Sequence, residues 1–146
     1  MGKRTKAREC AFQMLYQAEV SGEPIEGVVA AFWKVRSTAE ETRARAEALA
    51  RGAWQARAQA DAAIRAAARH WTLERIAAVD RNLLRLGYYE LAHEPATPPA
   101  VVIDEAVELA KRFGEADSGA FVNGVLDAIR RRVAERQPGD EAKRVG

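Results

Sequence analysis

Apolar residues recur along this chain at the i, i+3, i+4, i+7 spacing of one helical face, and no stretch shows the strict alternation of a half-buried strand. Between Arg4 and Val20 the stripe is Ala7, Ala11, Met14, Leu15 and Ala18, and Ser21-Gly22 closes it. A short helix over Ile25–Val35 follows Pro24, a residue suited to a first helical turn. Ser37-Thr38 precede Glu40 and Glu41 in the pattern of a capping box. They predict a long helical segment reaching about Arg69, with a break near Gly52 or Gln59. Thr72 is placed to cap the next helix, Leu73–Ala92, with Ile76, Val79, Leu83 and Leu84 inward, and Pro95, Pro98 and Pro99 end it. A helix over Val101–Phe113 stops at Gly114 in a C-cap position. Asp117 or Ser118 caps the last helix, which runs to about Glu135. Pro138-Gly139 predicts the end of order and a loose tail over residues 138–146. About six or seven helices with short links predict an all-α compact bundle, one domain over residues 1–137.

The last helix has an irregular start. In "FVNGVLDAIRRR" the stripe Val122, Val125, Leu126, Ile129 and Val133 runs through Asn123-Gly124, a pair that usually marks a turn. A glycine there costs about 1 kcal/mol relative to alanine. Gly124 projects roughly opposite the stripe, so the expectation is a neighbouring segment that approaches closely, with Asn123 bonding to its backbone. Phe121 lies ~100° from the stripe's centre, in the first turn. Its ring is placed either to face a ligand beside the helix N-terminus or to sit half-buried on a rim, and the two are compatible.

Composition narrows the class. Of 146 residues, 48% are apolar and 30% charged, the balance of a folded globular chain. No apolar run approaches the ~18 residues of a membrane helix. The N-terminus is basic and amphipathic but lacks an apolar signal core, and Glu9 and Glu19 argue against a transit peptide. Cys10 is the single cysteine, which excludes an internal disulfide and a multi-cysteine zinc site, and the expected location is the reducing cytoplasm. The net charge of +2 decides little. Its distribution says more: Lys3, Arg4, Lys6 and Arg8 crowd one end, Arg130 to Arg132 the other, and acids gather between Asp104 and Asp117.

Catalytic chemistry is hard to find. His70 and His93 stand apart from any metal-ligand spacing, Ser118 has no nucleophile-elbow setting and suits a helix cap, and there is no glycine-rich phosphate loop. Asp104 and Glu108, one turn apart with Glu105 beside them, could hold a cation, but an acidic helix face is more often solvated or paired with basic groups. Nucleic-acid binding has better support. Arg4, Arg8, Phe12 and Tyr16 form an i, i+4, i+8, i+12 line in which cations suit phosphates and rings suit unpaired bases. The plainer reading of Phe12 is that it joins the core, whereas Tyr16 points further out. No polar recognition helix of a DNA-reading helix-turn-helix is evident.

Three stretches carry a family resemblance: "ARECAFQMLYQAEVSG" (7–22), "LERIAAVDRNLLRLGYYEL" (73–91) and "VVIDEAVELAKRFGEADSGAFVNGVLDAIRR" (101–131). Together they resemble the NusB family of transcription antitermination factors over nearly the whole chain. Residues 37–70 carry little of the likeness, and Asp104 stands where the family often has asparagine. The resemblance implies two packed helical sub-bundles, no catalysis and no cofactor. It implies binding of single-stranded boxA RNA beside NusE, a small-subunit ribosomal protein, within an antitermination complex on RNA polymerase, notably in ribosomal RNA operons. Some members form homodimers that mask the RNA surface. By motif, the resemblance implies phosphate contacts at Lys3, Arg4, Lys6 and Arg8, an aromatic at Tyr16, an acid and an aromatic near RNA at Asp117 and Phe121, and Asp80 toward NusE. Nothing is carried over for Trp71. The alternatives are an RNA-binding module like the N-terminal domain of ribosomal RNA cytosine methyltransferases, or a mainly structural homodimer.

Overall fold

The computed structural model describes the backbone of residues 2–145 and the side chains of residues 2–135. Among them lie seven α-helices and no strand: α1 (Lys3–Ser21), α2 (Ile25–Val35), α3 (Glu40–Gln55), α4 (Arg57–Ala67), α5 (Ala78–His93), α6 (Pro99–Phe113) and α7 (Ser118–Val145). A 3₁₀ turn, Leu73–Arg75, precedes α5. α1, α2 and α3 pack as one sub-bundle and α4 to α7 as the other. α5 touches α1 and α3 as well as α4, α6 and α7, so it is the common wall.

The core follows the predicted stripes. On α1 the buried residues include Ala7, Ala11, Met14, Leu15 and Ala18, and they face Ala46, Leu49, Ala50 and Ala53 of α3. Small side chains on both faces let these two helices approach closely. Leu83 and Leu84 of α5, Val102 and Leu109 of α6, and Val122, Leu126 and Ile129 of α7 complete the interior. Gly22 ends α1 in the left-handed region, with φ 74°, and its N–H donates to the Ala18 carbonyl at 3.0 Å.

Several boundaries move for identifiable reasons. The long segment breaks at Ala56, between the two expected places. Gly52 instead lies where α3 meets α5: a Cβ there would fall inside the van der Waals envelope of the Tyr89 ring. α3 begins at Glu40 after Ala39, and no capping-box hydrogen bond from Ser37 or Thr38 forms. α5 begins at Ala78 rather than Leu73, because Arg81 donates to the Leu73 and Ile76 carbonyls (3.1 and 2.6 Å) and holds the preceding residues in a separate turn. The close approach expected at Gly124 is absent, since a Cβ there would meet nothing within 4 Å and Asn123 is exposed. The tight contact of α7 is with Gly87 of α5, where a Cβ would stand 2.8 Å from Leu126. Outward from the core, a helical glycine is indistinguishable by spacing from one that meets a neighbour. The tail expected over residues 138–146 falls where side chains lie outside the described residues. The backbone of α7 runs to Val145.

Arg8 is the largest departure. Expected at the surface, it is 4% exposed. Its guanidinium donates to both carboxylate oxygens of Glu90 on α5 at 3.0 Å and reaches Glu105 on α6 at 3.3 Å. Burial pushes the Glu90 carboxyl above its ordinary range, and Arg8 opposes that push. At the other end of α1, Glu19 takes hydrogen bonds from Arg81 and Arg85 of α5, and Arg85 also pairs with Asp61 of α4 at 2.8 Å. α1 and α5 are thereby antiparallel, joined by charge at both ends.

Arg8→Met leaves Glu90 buried with its main partner gone and is expected to cost about 3–5 kcal/mol in chemical denaturation, with Arg8→Met/Glu90→Leu recovering much of the loss. Gly124→Ala is expected to stabilise the protein by about 0.5–1 kcal/mol, whereas Gly52→Ala should destabilise it by about 1–3 kcal/mol through overpacking against Tyr89.

Candidate nucleic-acid interface

The cations of the N-terminal arm divide by register. Consecutive i, i+4 positions drift by ~40° around a helix. The line Arg4, Arg8, Phe12, Tyr16 therefore winds across the surface and cannot stay on one edge. Arg4 is exposed, Arg8 and Phe12 are buried, and Tyr16 is half-buried. Lys3 pairs with Glu41 at 3.3 Å, both side chains being highly exposed. A pair of that kind is worth about 0–1 kcal/mol and yields readily to a phosphate. Arg4 has no ion-pair partner among the described residues. Lys3 and Arg4, with Thr42, Arg45 and Thr97, line an open cavity of about 320 Å³. Lys6 is half-buried, 3.9 Å from Glu9. Arg8, neutralised inside the fold, drops out of the phosphate set.

The rings gather toward the other end of α1. Phe12 lies 6.4 Å from Tyr16 and 5.5 Å from Phe113 between ring centroids. Arg112 sits over the Phe113 ring at 5.0 Å and also donates to Glu9, so Lys6 and Arg112 flank one carboxylate. At the start of α7, Phe121 is half-buried and stands edge-on to Trp71, with centroids 5.8 Å apart and planes at 68°. Trp71 is 52% exposed. The exposed Asp117 gives its carbonyl to the Phe121 N–H at 3.1 Å. Ser118, expected as a cap for α7, instead accepts the Glu115 N–H at 2.9 Å and ties down the α6–α7 link.

Comparison with known proteins decides the family. The NusB family model matches residues 5–131. A transcription antitermination protein NusB of Sorangium cellulosum is 52% identical over 129 residues, 88% of this chain and 92% of that protein. The chain belongs to the NusB family. Among solved structures, T. maritima NusB is 35% identical with a TM-score of 0.80, covering 90% of this chain and 92% of that one. NusB in a complex of the antitermination factors NusB and NusE with double-stranded RNA is 30% identical with a TM-score of 0.82, covering 90% and 98%.

Within this NusB fold the expected site residues fall into two groups. Lys3 and Arg4 lie beside the C-terminal end of α5, as Arg8 meets Glu90 one turn further along α1. Asp80, Asp117 and Phe121 share a cavity at the N-terminal end of α5. At 1.5 Å per residue the groups are separated by roughly 20 Å. Lys6 and Arg112 lie between them, and Arg112 and Trp71 were not among the residues expected at the site. For Arg112 the available signal was the Lys111-Arg112-Phe113 run in the last turn of α6. Trp71 lies in a linker whose path no periodicity defines.

Asp80 is only 8% exposed, and its Oδ1 is buried with no hydrogen-bond partner. A partner protein cannot lie flat against it; a group must enter the cavity. Burial holds its carboxyl above the ordinary range. A Ser118 hydroxyl opposes the shift, and the charges of Asp117 and Glu115 add to it. The α5 N-terminus offsets about 0.3–1 kcal/mol of the cost of ionisation, against about 1–3 kcal/mol for an unsatisfied buried polar atom.

A carboxyl raised in the folded state destabilises the protein as pH climbs from the ordinary aspartate value through the raised one, and the penalty persists above it. Asp80→Asn is therefore expected to melt a few degrees higher than the parent at neutral pH, with the gain shrinking as pH falls to the ordinary aspartate value. Thermal melts across that range check this.

Proposed function

We propose that this NusB-family protein is a non-enzymatic transcription antitermination factor of the cytoplasm. In this reading it grips unpaired boxA-type RNA together with NusE and helps RNA polymerase read through terminators, notably in ribosomal RNA operons. The observation that supports it is the set of cations and rings left at the surface: Lys3 and Arg4 at the start of α1, Lys6 and Arg112 about one carboxylate, Tyr16 further along α1, and Phe121 with Trp71 at the start of α7. Such cations suit a phosphate backbone, and rings presented at a rim suit unstacked bases. Asp117 lies one turn before Phe121. The NusB–NusE complex with RNA formed by a relative supports both partners. That RNA is double-stranded, so strandedness belongs in the test.

Phe121→Ala is expected to weaken single-stranded boxA-type RNA binding by about 1–3 kcal/mol while leaving the fold intact by circular dichroism. Contacts from Lys3, Arg4 and Lys6 to three phosphates give a slope of about −2 in log K against log salt. Titrations with single-stranded, duplex and shuffled RNA, with and without NusE, check both. A flat salt response, or equal affinity for shuffled RNA in the presence of NusE, overturns the reading.

A further inference from the structure

The basic run Arg130 to Arg132, which the RNA reading leaves unused, borders a groove on the second sub-bundle. The groove lies between α4 and α7, with α5 as its floor, and measures about 490 Å³. Ala62 and Ala66 of α4 form one wall, Ile129 and Val133 of α7 the other, and Tyr88 of α5 the floor. None of its lining residues belongs to the set expected at RNA or at NusE. Ile129 is buried at the base, and Ala62 at the lip is exposed. A helix face that met only water would place polar side chains along such a wall.

The rim adds a charge to this apolar trough. Arg132 donates to the Ala66 carbonyl across the mouth at 3.1 Å. A guanidinium carries five N–H donors, so most of them remain unused. Arg65, exposed on α4, projects ~60° from Ala62 and ~100° from Ala66, on the solvent side of the wall. Neither arginine has a carboxylate partner among the described residues. The nearby acids Asp61 and Asp127 are taken, the first by Arg85 and the second by Arg130 and Arg131. Glu135, exposed three residues beyond Arg132, offsets part of the charge and leaves the mouth positive. The exposed His93 stands edge-on to Tyr88, with ring centroids 6.2 Å apart, at the α5 end.

We propose that this groove docks an acidic amphipathic helix of a protein partner. Two of its apolar side chains, one turn apart, fill the trough, and its carboxylates meet Arg65 and Arg132. The wall from Ala62 to Ala66 is one turn long, about 6 Å, which matches anchors at i and i+4. A phosphate backbone would satisfy the guanidinium groups but leave the trough wet, so the apolar walls favour a peptide over a nucleic acid. The proposal is independent of the RNA reading.

The probe is a synthetic peptide of about 18 residues, long enough to hold a helix, with leucine at the anchor positions and glutamate on the flanks. One counterpart has lysine for glutamate and another alanine for leucine. Titrated into the full chain, the acidic peptide should shift the backbone amide resonances of Ala62, Ala66, Tyr88 and Ile129. Each counterpart should bind at least about ten-fold more weakly. Arg65→Ala and Arg132→Ala should each cost about two- to five-fold. Ala62→Glu, at an exposed position, should cost at least about ten-fold while its thermal melt stays that of a folded protein. Binding of boxA-type RNA with NusE should be unchanged in Arg65→Ala and Ala62→Glu. Equal affinity for the lysine peptide overturns the proposal, as does full binding by Ala62→Glu or a shift pattern centred on α1 and α2. Weaker RNA binding by Arg65→Ala and Arg132→Ala, with the peptide unaffected, makes the rim a phosphate surface and overturns it. Self-association of the chain that Ala62→Glu abolishes gives the groove to a second copy and overturns it too.

Discussion

The structure depends on a charged seam between two small helical groups. α1 belongs to the first sub-bundle and α5 to the second, and a buried guanidinium–carboxylate pair, Arg8 with Glu90, joins them. Burying such a pair gains little net stability, because desolvation consumes most of the Coulomb attraction. Its consequence is geometric. An apolar stripe of alanines tolerates sliding by a turn, but Arg8 must meet Glu90 while Glu19, three turns on, meets Arg81 and Arg85. The two contacts together allow one register and one direction. That register decides which residues of α1 remain outside, so the presentation of Lys3, Arg4 and Tyr16 follows from charges that are largely withdrawn from solvent.

Periodicity made most of this fold legible. Stripes at helical spacing identify the core faces of α1, α5 and α7 because burial of a continuous face is what those residues do energetically. Boundaries were less legible, since local capping patterns lose to longer-range contacts. Ser37-Thr38 had the right residues for a capping box and Thr72 for a cap, yet neither makes the bond, and Arg81 reaching back to two carbonyls determines where α5 starts. Glycine was ambiguous in the same way. Gly124 looked like a close approach and faces open space, while Gly52, taken for a break, accommodates the Tyr89 ring.

The exposure of Lys3, Arg4, Tyr16 and Phe121 was legible in the sequence; the place of Trp71 and the burial of Arg8 and Asp80 were not. Tyr16 and Phe121 stand at rims, as their angular positions imply. An arginine in a basic run reads as a phosphate ligand when nothing local says otherwise, and the carboxylate that claims Arg8 is 82 residues away. Asp80 is the converse. It sits in an ordinary acidic first turn by sequence, and only the convergence of α5, α7 and the Trp71 linker makes its oxygen an orphan.

In the proposed RNA reading, the roughly 20 Å between the arm and the Phe121 ring sets phosphate attraction apart from base contact. Phosphate attraction is long-ranged, tolerant of sequence and screened by salt. Base readout is short-ranged, selective and penalised when a buried acceptor goes unmet. With Lys3 and Arg4 at one end and the Phe121 ring at the other, the two contributions in that reading respond to different perturbations. Salt acts chiefly on the first and base substitution chiefly on the second. A strand held only by the arm would still be free to slide. A base stacked on an aromatic ring would resist that sliding, so the proposed reading needs both the arm and the rings.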